Sequence, residues 1–304
     1  MSNPFHQNSP RSLALGATII CHVIWGFSFM FSRKALELVP VFVLLSHRFV
    51  LAFLSLILVR CISRYPMKLR DKKIGPLLLL GLMQPVIYFI GEQYGILHSN
   101  TIFSGVMIAM IPIAATLAAW PLLKEKPTGG QLFYSLLSVG GVVGIGLMAG
   151  SSGTLDLLGL GGLLLAVLSA SAYLLLSRRI SGRYSPFERT YVMMGLAAFV
   201  FTAFALIQTR GDFSAYLKPL GSVSYLGPLL YLGLLASIVS FFLSSYALTY
   251  LSVARESVFS NLTTAVSVFA GAVFLGEAFS WLSLLFCLLI LLGIWGVQKS
   301  ASKE

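Results

Sequence analysis

Charge is what this sequence has least of. Only 10% of its residues are Asp, Glu, Lys or Arg, against about 25% in an ordinary soluble domain. So few charges cannot cover a water-facing surface, so the solvent around most of the chain is lipid. That excludes soluble enzymes, nucleic-acid binders and disordered proteins. Cysteine is also sparse: Cys21, Cys61 and Cys287 are scattered, with no CxxC pair and no metal-ligand spacing. They read as small apolar packing residues. No Gly-x-x-x-x-Gly-Lys-Ser/Thr loop is present to hold a nucleotide, and no His-Glu-x-x-His or Gly-x-Ser-x-Gly to suggest an intramembrane hydrolase. No cofactor is expected.

What is present is apolar length: 57% of the residues are hydrophobic. The polar opening MSNPFHQNSPR leads into an apolar run too long for a signal-peptide core and without an A-x-A cleavage site, so that run is expected to stay as a first span. Runs of about 20 apolar residues cross a bilayer as helices. Punctuating the chain at charges, prolines and polar clusters gives ten spans: 13–32, 41–60, 74–97, 101–123, 130–149, 157–177, 188–208, 225–250, 253–275 and 281–298. The runs are continuous and Leu-rich, without the alternation of a transmembrane barrel. The expected class is an all-α integral membrane protein.

The net charge of +11 is explained by where the basic residues fall. With the N-terminus inside, cytoplasmic segments hold 16 of the 21 Lys and Arg residues and outer loops hold 4, leaving Arg48 inside a span. Basic loops stay on the cytoplasmic side. The excess is topogenic and needs no nucleic acid. Both termini are expected in the cytoplasm of a multi-pass protein of the cell (inner) membrane.

The chain also repeats itself. Tyr94, Glu125, Gly141 and Gly144 match Tyr246, Glu277, Gly293 and Gly296 at one offset, 152. Nearer the N-terminus, Leu15–Gly16 and Ser32–Lys34 match Leu160–Gly161 and Ser177–Arg179 at 145, the difference fitting a longer loop around Arg210–Gly221. Each copy contains five spans. An odd number makes the second copy enter from the opposite side, so the two are inverted repeats, a design of secondary transporters with a site between the copies. The organisation expected is a tail at 1–12, repeats at 13–150 and 151–298, and a tail at 299–304.

Short motifs add a family. HVIWGFSFMFSRKAL at 22–36, SHRFVLAFLSL at 46–56, LLKEK at 122–126 and FLGEAFS at 274–280 resemble the drug/metabolite transporter superfamily, in particular its ten-helix EamA-type members. The resemblance covers about 13–298. It implies an inverted-repeat fold of ten helices, cytoplasmic termini, and movement of small organic molecules, often outward. Two departures stand out: Lys124 replaces the Gly expected before Glu125, and Ala170–Ser171 stand where span six would repeat Trp25–Gly26.

The candidate site begins at an oddity, the carboxylate of Glu92 amid apolar residues. Gln84, Tyr88 and Glu92 recur every fourth residue and share a helix face, and Pro85 can free a carbonyl and kink the helix. Either this face lines a polar cavity or Glu92 reaches interfacial water. Intramembrane ionisable groups are functional by default, and Asp or Glu snorkels poorly. Arg48 lies ~10 Å from the outer end of its span and Glu92 ~8 Å, so the two can pair; Arg48 can equally cap carbonyls. Burial favours the neutral acid and a nearby guanidinium the carboxylate. Glu92 then either exchanges a proton for a cationic or zwitterionic substrate or binds an amine directly. His22, Trp25 and Phe29 share a face of span one, as a substrate box or as packing; His47 is ambiguous. In the second half the polar candidates are neutral, and Asn261 is the best of them, because Ser and Thr readily bond their own helix carbonyls. Glu125 and Glu277 read as end-caps or gate contacts. Gly140/Gly144 and Gly146/Gly150 read as close helix packing.

The reading is a secondary transporter, an exporter of small organic metabolites such as amino acids or amphiphilic cations. Its partners are that substrate and the lipid bilayer, with proton coupling and the choice of monomer or dimer left open. The competing classes are an intramembrane enzyme and a non-transporting channel or scaffold.

Overall fold

In the computed structural model the chain is described over residues 10–64, 67, 69, 72–97, 107–148, 157–274 and 280–300. Every regular element among them is helical. α1 (Pro10–Leu36) and α2 (Val41–Ser63) are followed by α3 (Gly75–Gly81), a π-helical stretch Leu82–Ile87, and α4 (Tyr88–Leu97). α5 (Ile111–Leu123) and α6 (Gly129–Met148) complete the first half. The second half runs α7 (Leu157–Ile180), α8 (Pro186–Gln208), the short α9 (Phe213–Leu217), α10 (Val223–Leu230), a second π-helical stretch Tyr231–Val239, and α11 (Ser240–Tyr250). α12 (Val253–Ser257), α13 (Ser260–Phe274) and α14 (Trp281–Ser300) close it.

Among the described residues, seven stretches are long and apolar enough to cross a membrane: Pro10–Leu36, Val41–Ser63, Gly75–Glu92, Leu157–Ile180, Pro186–Gln208, Val223–Tyr250 and Trp281–Ser300. Ile111–Leu123 is a shorter apolar helix. Large apolar side chains such as Leu58, Ile62, Leu168 and Phe199 project outward. A belt of this kind is stable only against hydrocarbon, where each helix satisfies its own backbone.

The helix ends follow local chemistry. α8 begins with a capping box in which Ser185 Oγ accepts from the Glu188 N–H and Glu188 Oε2 accepts from the Ser185 N–H, with Pro186 in the first turn. α5 stops at Lys124, whose φ of 61° is left-handed. The first π-helical stretch contains Pro85 and an extended residue, Gln84 at φ −143°, ψ 125°. In the second, Ser237 Oγ donates to the Leu232 carbonyl and Ser240 Oγ to that of Leu235, filling acceptors that the wide turn leaves open.

The most extensive helix contacts are those of α6 with α14, α2 with α8, α4 with α7, and α1 with both α11 and α13. Small residues set the closest approaches. A Cβ on Gly141 would stand 2.8 Å from the Phe286 carbonyl oxygen and from Ile290 Cγ1. One on Gly293 would stand 2.6 Å from the Tyr134 carbonyl oxygen and from Ser138 Cβ. Gly144 faces Phe286 and Gly296 faces Tyr134. As the position rises along α6 its partner falls along α14, so the two helices run antiparallel. The glycines in contact are Gly141 and Gly144; Gly140 meets nothing within 4 Å, and Gly150 lies outside the described residues.

Candidate functional site

A cavity of about 560 Å³ lies between the halves. Its mouth is formed by Arg33, Leu36 and Glu37 at the end of α1 and Val41 at the start of α2. Its closed end is formed by buried Tyr173, Glu256 and Ser257. Gln84, Tyr88, Glu92, Arg48, His22 and Trp25 all line it, as does Phe29. The sequence placed these residues on three separate spans, and the fold brings them to one space.

Two polar clusters face that space. In the first, the Tyr88 hydroxyl donates to Glu92 Oε1 at 2.8 Å, the i to i+4 contact of one helix face. Arg48, 4% exposed, donates from Nε to Ser237 Oγ at 2.7 Å. Its guanidinium carbon lies 5.0 Å from the Phe89 ring centre and 5.3 Å from that of Phe49. Arg48 and Glu92 share the wall without an ion contact inside 4.0 Å. Gln84 lines the same wall from the break in its helix.

The second cluster joins α1 to α11, α12 and α13. His22 Nδ1 is 3.0 Å from Thr263 Oγ1, and His22 Nε2 is 3.8 Å from Glu256 Oε1. Ser244 Oγ donates to Glu256 Oε1 at 2.8 Å. Trp25 stands edge-on to His22, with ring centres 5.1 Å apart, and its Nε1–H donates to the Ala236 carbonyl at 2.9 Å. That bond fixes the indole against the π-helical stretch.

Beyond the closed end a network ties α7, α8, α11 and α12 to the loops that follow α5 and precede α3. Arg178 donates to Glu125 Oε1 at 2.9 Å and to the carbonyls of Leu248 and Thr249, while Glu125 Oε2 accepts from the Val253 N–H at 2.9 Å. Arg189, fully buried, donates to the carbonyl and hydroxyl of Ser177, the Ser245 carbonyl and Thr249 Oγ1. Lys72 bridges to both oxygens of Glu188 at 2.8 and 2.9 Å. Charge-assisted bonds of this kind hold better than neutral ones. The cavity is therefore open at the α1–α2 corner and shut at the other end.

Several residues lie elsewhere than the sequence suggests. Asn261 does not line the cavity: it is 1% exposed and its Nδ2 donates to Ser138 Oγ at 3.1 Å, between α13 and α6. The amide nitrogen is spent on helix packing, while Oδ1 has no hydrogen-bond partner among the described residues. His47 also lies apart, 2.9 Å from the Tyr225 hydroxyl. Glu125 sits in the closing network, whereas Glu277 falls outside the described residues. Arg189, one of the 16 basic residues counted on the cytoplasmic side, is also a buried tie. Glu256 lines the cavity although the sequence pattern does not mark it. Next to Arg255 it looks like half of a solvated pair, but within the short α12 it is buried while Arg255 turns to Gln298. The signal in the sequence is the serine-rich stretch Ser252–Asn261 around it. Among the described residues, no three His, Cys, Asp or Glu side chains gather as metal ligands would.

Known proteins share this pattern. The model of the EamA-like transporter family matches the chain twice, over residues 12–147 and 157–298. The uncharacterized transporter YcxC of Bacillus subtilis is 32% identical over 302 residues, covering 98% of this chain and 96% of that protein. A second Bacillus subtilis protein, the uncharacterized transporter YetK, is 25% identical over 275 residues, covering 89% of this chain and 80% of its own. A solved crystal structure superposes with a TM-score of 0.80 at 20% identity, covering 96% of this chain and 99% of that one. At that identity the likeness is one of fold.

Proposed function

The chain belongs to the EamA-like transporter family, within the drug/metabolite transporter superfamily, and we propose that it is a secondary transporter that moves small organic metabolites outward by alternating access. The observation that carries this reading is the cavity itself. It is a space of metabolite size between the halves, lined by paired polar and aromatic groups, open at one end and tied shut at the other. Pockets that bury drug-sized ligands run to about 300–1,000 Å³. With both termini cytoplasmic, the mouth at Arg33–Val41 faces outward and the Arg178–Glu125 and Arg189 networks form the inner gate.

Alternating access needs two halves that can exchange roles, and the reading includes ten spans in two inverted repeats, 13–150 and 151–298. The double family match supports that division. So does the reciprocity of packing. Gly141 meets Phe286 and Ile290 as Gly293 meets Tyr134 and Ser138, each pair related by the offset of 152. Gly81 meets Met193 and Leu196 as Gly233 meets Arg48 and Leu51, related by 152 for the glycines and 145 for their partners. In this reading the two-fold axis that maps the antiparallel α6 and α14 onto each other runs across them, in the membrane plane. That is the axis of inverted repeats.

Glu92 is assigned the coupling role: it takes up a proton when the site is empty and gives it up when a cationic or zwitterionic substrate arrives. Tyr88 orients the carboxyl and Arg48 sets the field around it. The test is accumulation in proteoliposomes against an imposed pH gradient, using a compound first identified by thermal-shift screening. Glu92→Gln is expected to lose pH-driven accumulation while keeping exchange. Unchanged accumulation and unchanged pH dependence in that variant would remove Glu92 from the mechanism.

A further inference from the structure

Glu256 has no role in that reading, yet it is the more exacting carboxylate of the two. It is 1% exposed and lines the closed end of the cavity. A buried carboxylate is costly unless a counter-charge and hydrogen bonds meet it. Glu92 has the Tyr88 hydroxyl and shares its wall with a guanidinium. Glu256 has one hydroxyl, from Ser244 to Oε1, and its Oε2 has no hydrogen-bond partner. Among the described residues, His22 alone brings a basic nitrogen within 4.0 Å of it. At 3.8 Å that Nε2 is within ion-pair distance but beyond hydrogen-bond reach, and it has no hydrogen-bond partner. The carboxylate is thus oriented on one oxygen, while the other is covered and has no hydrogen-bond partner.

Its surroundings are aromatic. Trp25, Tyr173 and Phe241 line the same end of the cavity. Trp25 and Phe241 meet edge-on with ring centres 5.3 Å apart, and Tyr173 and Phe241 do so at 6.1 Å. Two of the rings are pinned, Trp25 through Ala236 and Tyr173 through a 3.5 Å contact to the same Ser244 hydroxyl that holds Glu256. Tyr173 and Phe241 are 0% and 1% exposed, so these rings wall the carboxylate closely and exclude water from it. Rings of this kind attract an organic ammonium, most strongly where water is excluded, and a carboxylate beside them supplies the charge.

We propose that Glu256, walled by Trp25, Tyr173 and Phe241, receives the ammonium group of an organic cation or zwitterion at the closed end of the cavity. This rests on the cavity being the transport site for a cationic or zwitterionic substrate, and it assigns the place where the cationic nitrogen sits. It also separates two duties: Glu92 handles the proton near the mouth, and Glu256 holds the cargo against the inner gate.

The test is a thermal-unfolding titration of the full chain in detergent. The probes are tetramethylammonium chloride, 2-phenylethylammonium chloride, the neutral analogue 2-phenylethanol, and sodium chloride at matched concentration. The organic cations are expected to raise the unfolding temperature saturably, and the alcohol and sodium are not. E256Q is expected to weaken the response at least tenfold. F241L, which removes a ring but no charge, is expected to weaken it severalfold, so the inference stays testable if E256Q does not fold. Equal stabilisation by sodium would make this an inorganic-cation site and overturn the proposal. Failure of both organic cations to stabilise the native chain, or an unchanged response in E256Q, would overturn it too. If E92Q loses the response and E256Q keeps it, the ammonium is received at Glu92; the inference then falls while the transport cavity stands.

Discussion

Substituting alanine for Gly293 adds one methyl group where the structure leaves no room for it. The new Cβ would lie 2.6 Å from the Tyr134 carbonyl oxygen and from Ser138 Cβ, and 2.8 Å from Ser138 N. Two of those atoms are backbone of α6 and cannot rotate aside, so α14 must move away. Overpacking of this kind costs about 1–3 kcal/mol. Alanine also favours the helical backbone over glycine by about 1 kcal/mol, which masks part of the loss. Gly161→Ala isolates that gain, because a Cβ there meets nothing within 4 Å. Measured against Gly161→Ala, Gly293→Ala should therefore be less stable by about 1–3 kcal/mol, read as a drop of several degrees in apparent Tm in detergent. Gly141→Ala should behave like Gly293→Ala, since its Cβ would stand 2.8 Å from the Phe286 carbonyl and from Ile290. If Gly293→Ala is as stable as Gly161→Ala, the close antiparallel contact of α6 and α14 is wrong. If Gly141→Ala and Gly293→Ala differ widely, the reciprocity behind the two-fold axis is wrong.

Two further expectations concern the site and the topology. Arg48→Ala should lose most transport activity and Arg48→Lys should keep part of it, because an ammonium can reach Ser237 but cannot reproduce the flat fork over Phe89; full activity in Arg48→Ala would reduce the residue to an anchor. For sidedness, Lys72 is held by Glu188, so the exposed neighbour Lys73 is the better probe. In a cysteine-free background, Lys73→Cys should resist a membrane-impermeant thiol reagent in intact cells and react after permeabilisation. Reaction from outside would invert the topology.

The sequence carried the helices well and the closed end of the cavity poorly, for one physical reason. Span limits are written in local composition: the run read as 41–60 is the helix Val41–Ser63, and the run read as 188–208 is Pro186–Gln208, its start marked by the Ser185–Glu188 box. The Tyr88–Glu92 contact is equally local, one helical turn. What could not be read is where a charge near a helix end turns. Arg189 and Glu256 sit within a few residues of span termini, where sequence alone makes them interfacial. The fold buries both, Arg189 among the carbonyls of α7 and α11 and Glu256 against α1 and α11. Asn261 departs for the converse reason: a buried amide needs a partner, and Ser138 on a helix 123 residues away supplied one that no local pattern announces.

The central claim is that this chain carries small organic molecules through the cavity between its halves. Proteoliposomes loaded with an isotopically labelled extract of small cell metabolites, placed in unlabelled extract, test it whatever the substrate is. Mass spectrometry of the outer medium should show one or a few labelled compounds leaving faster than from empty liposomes. Their exit should saturate, accelerate with the same unlabelled compound outside, and slow in Arg48→Ala. Release of labelled compounds no faster than from empty liposomes, or release that neither saturates nor responds to the opposite side, would contradict the account.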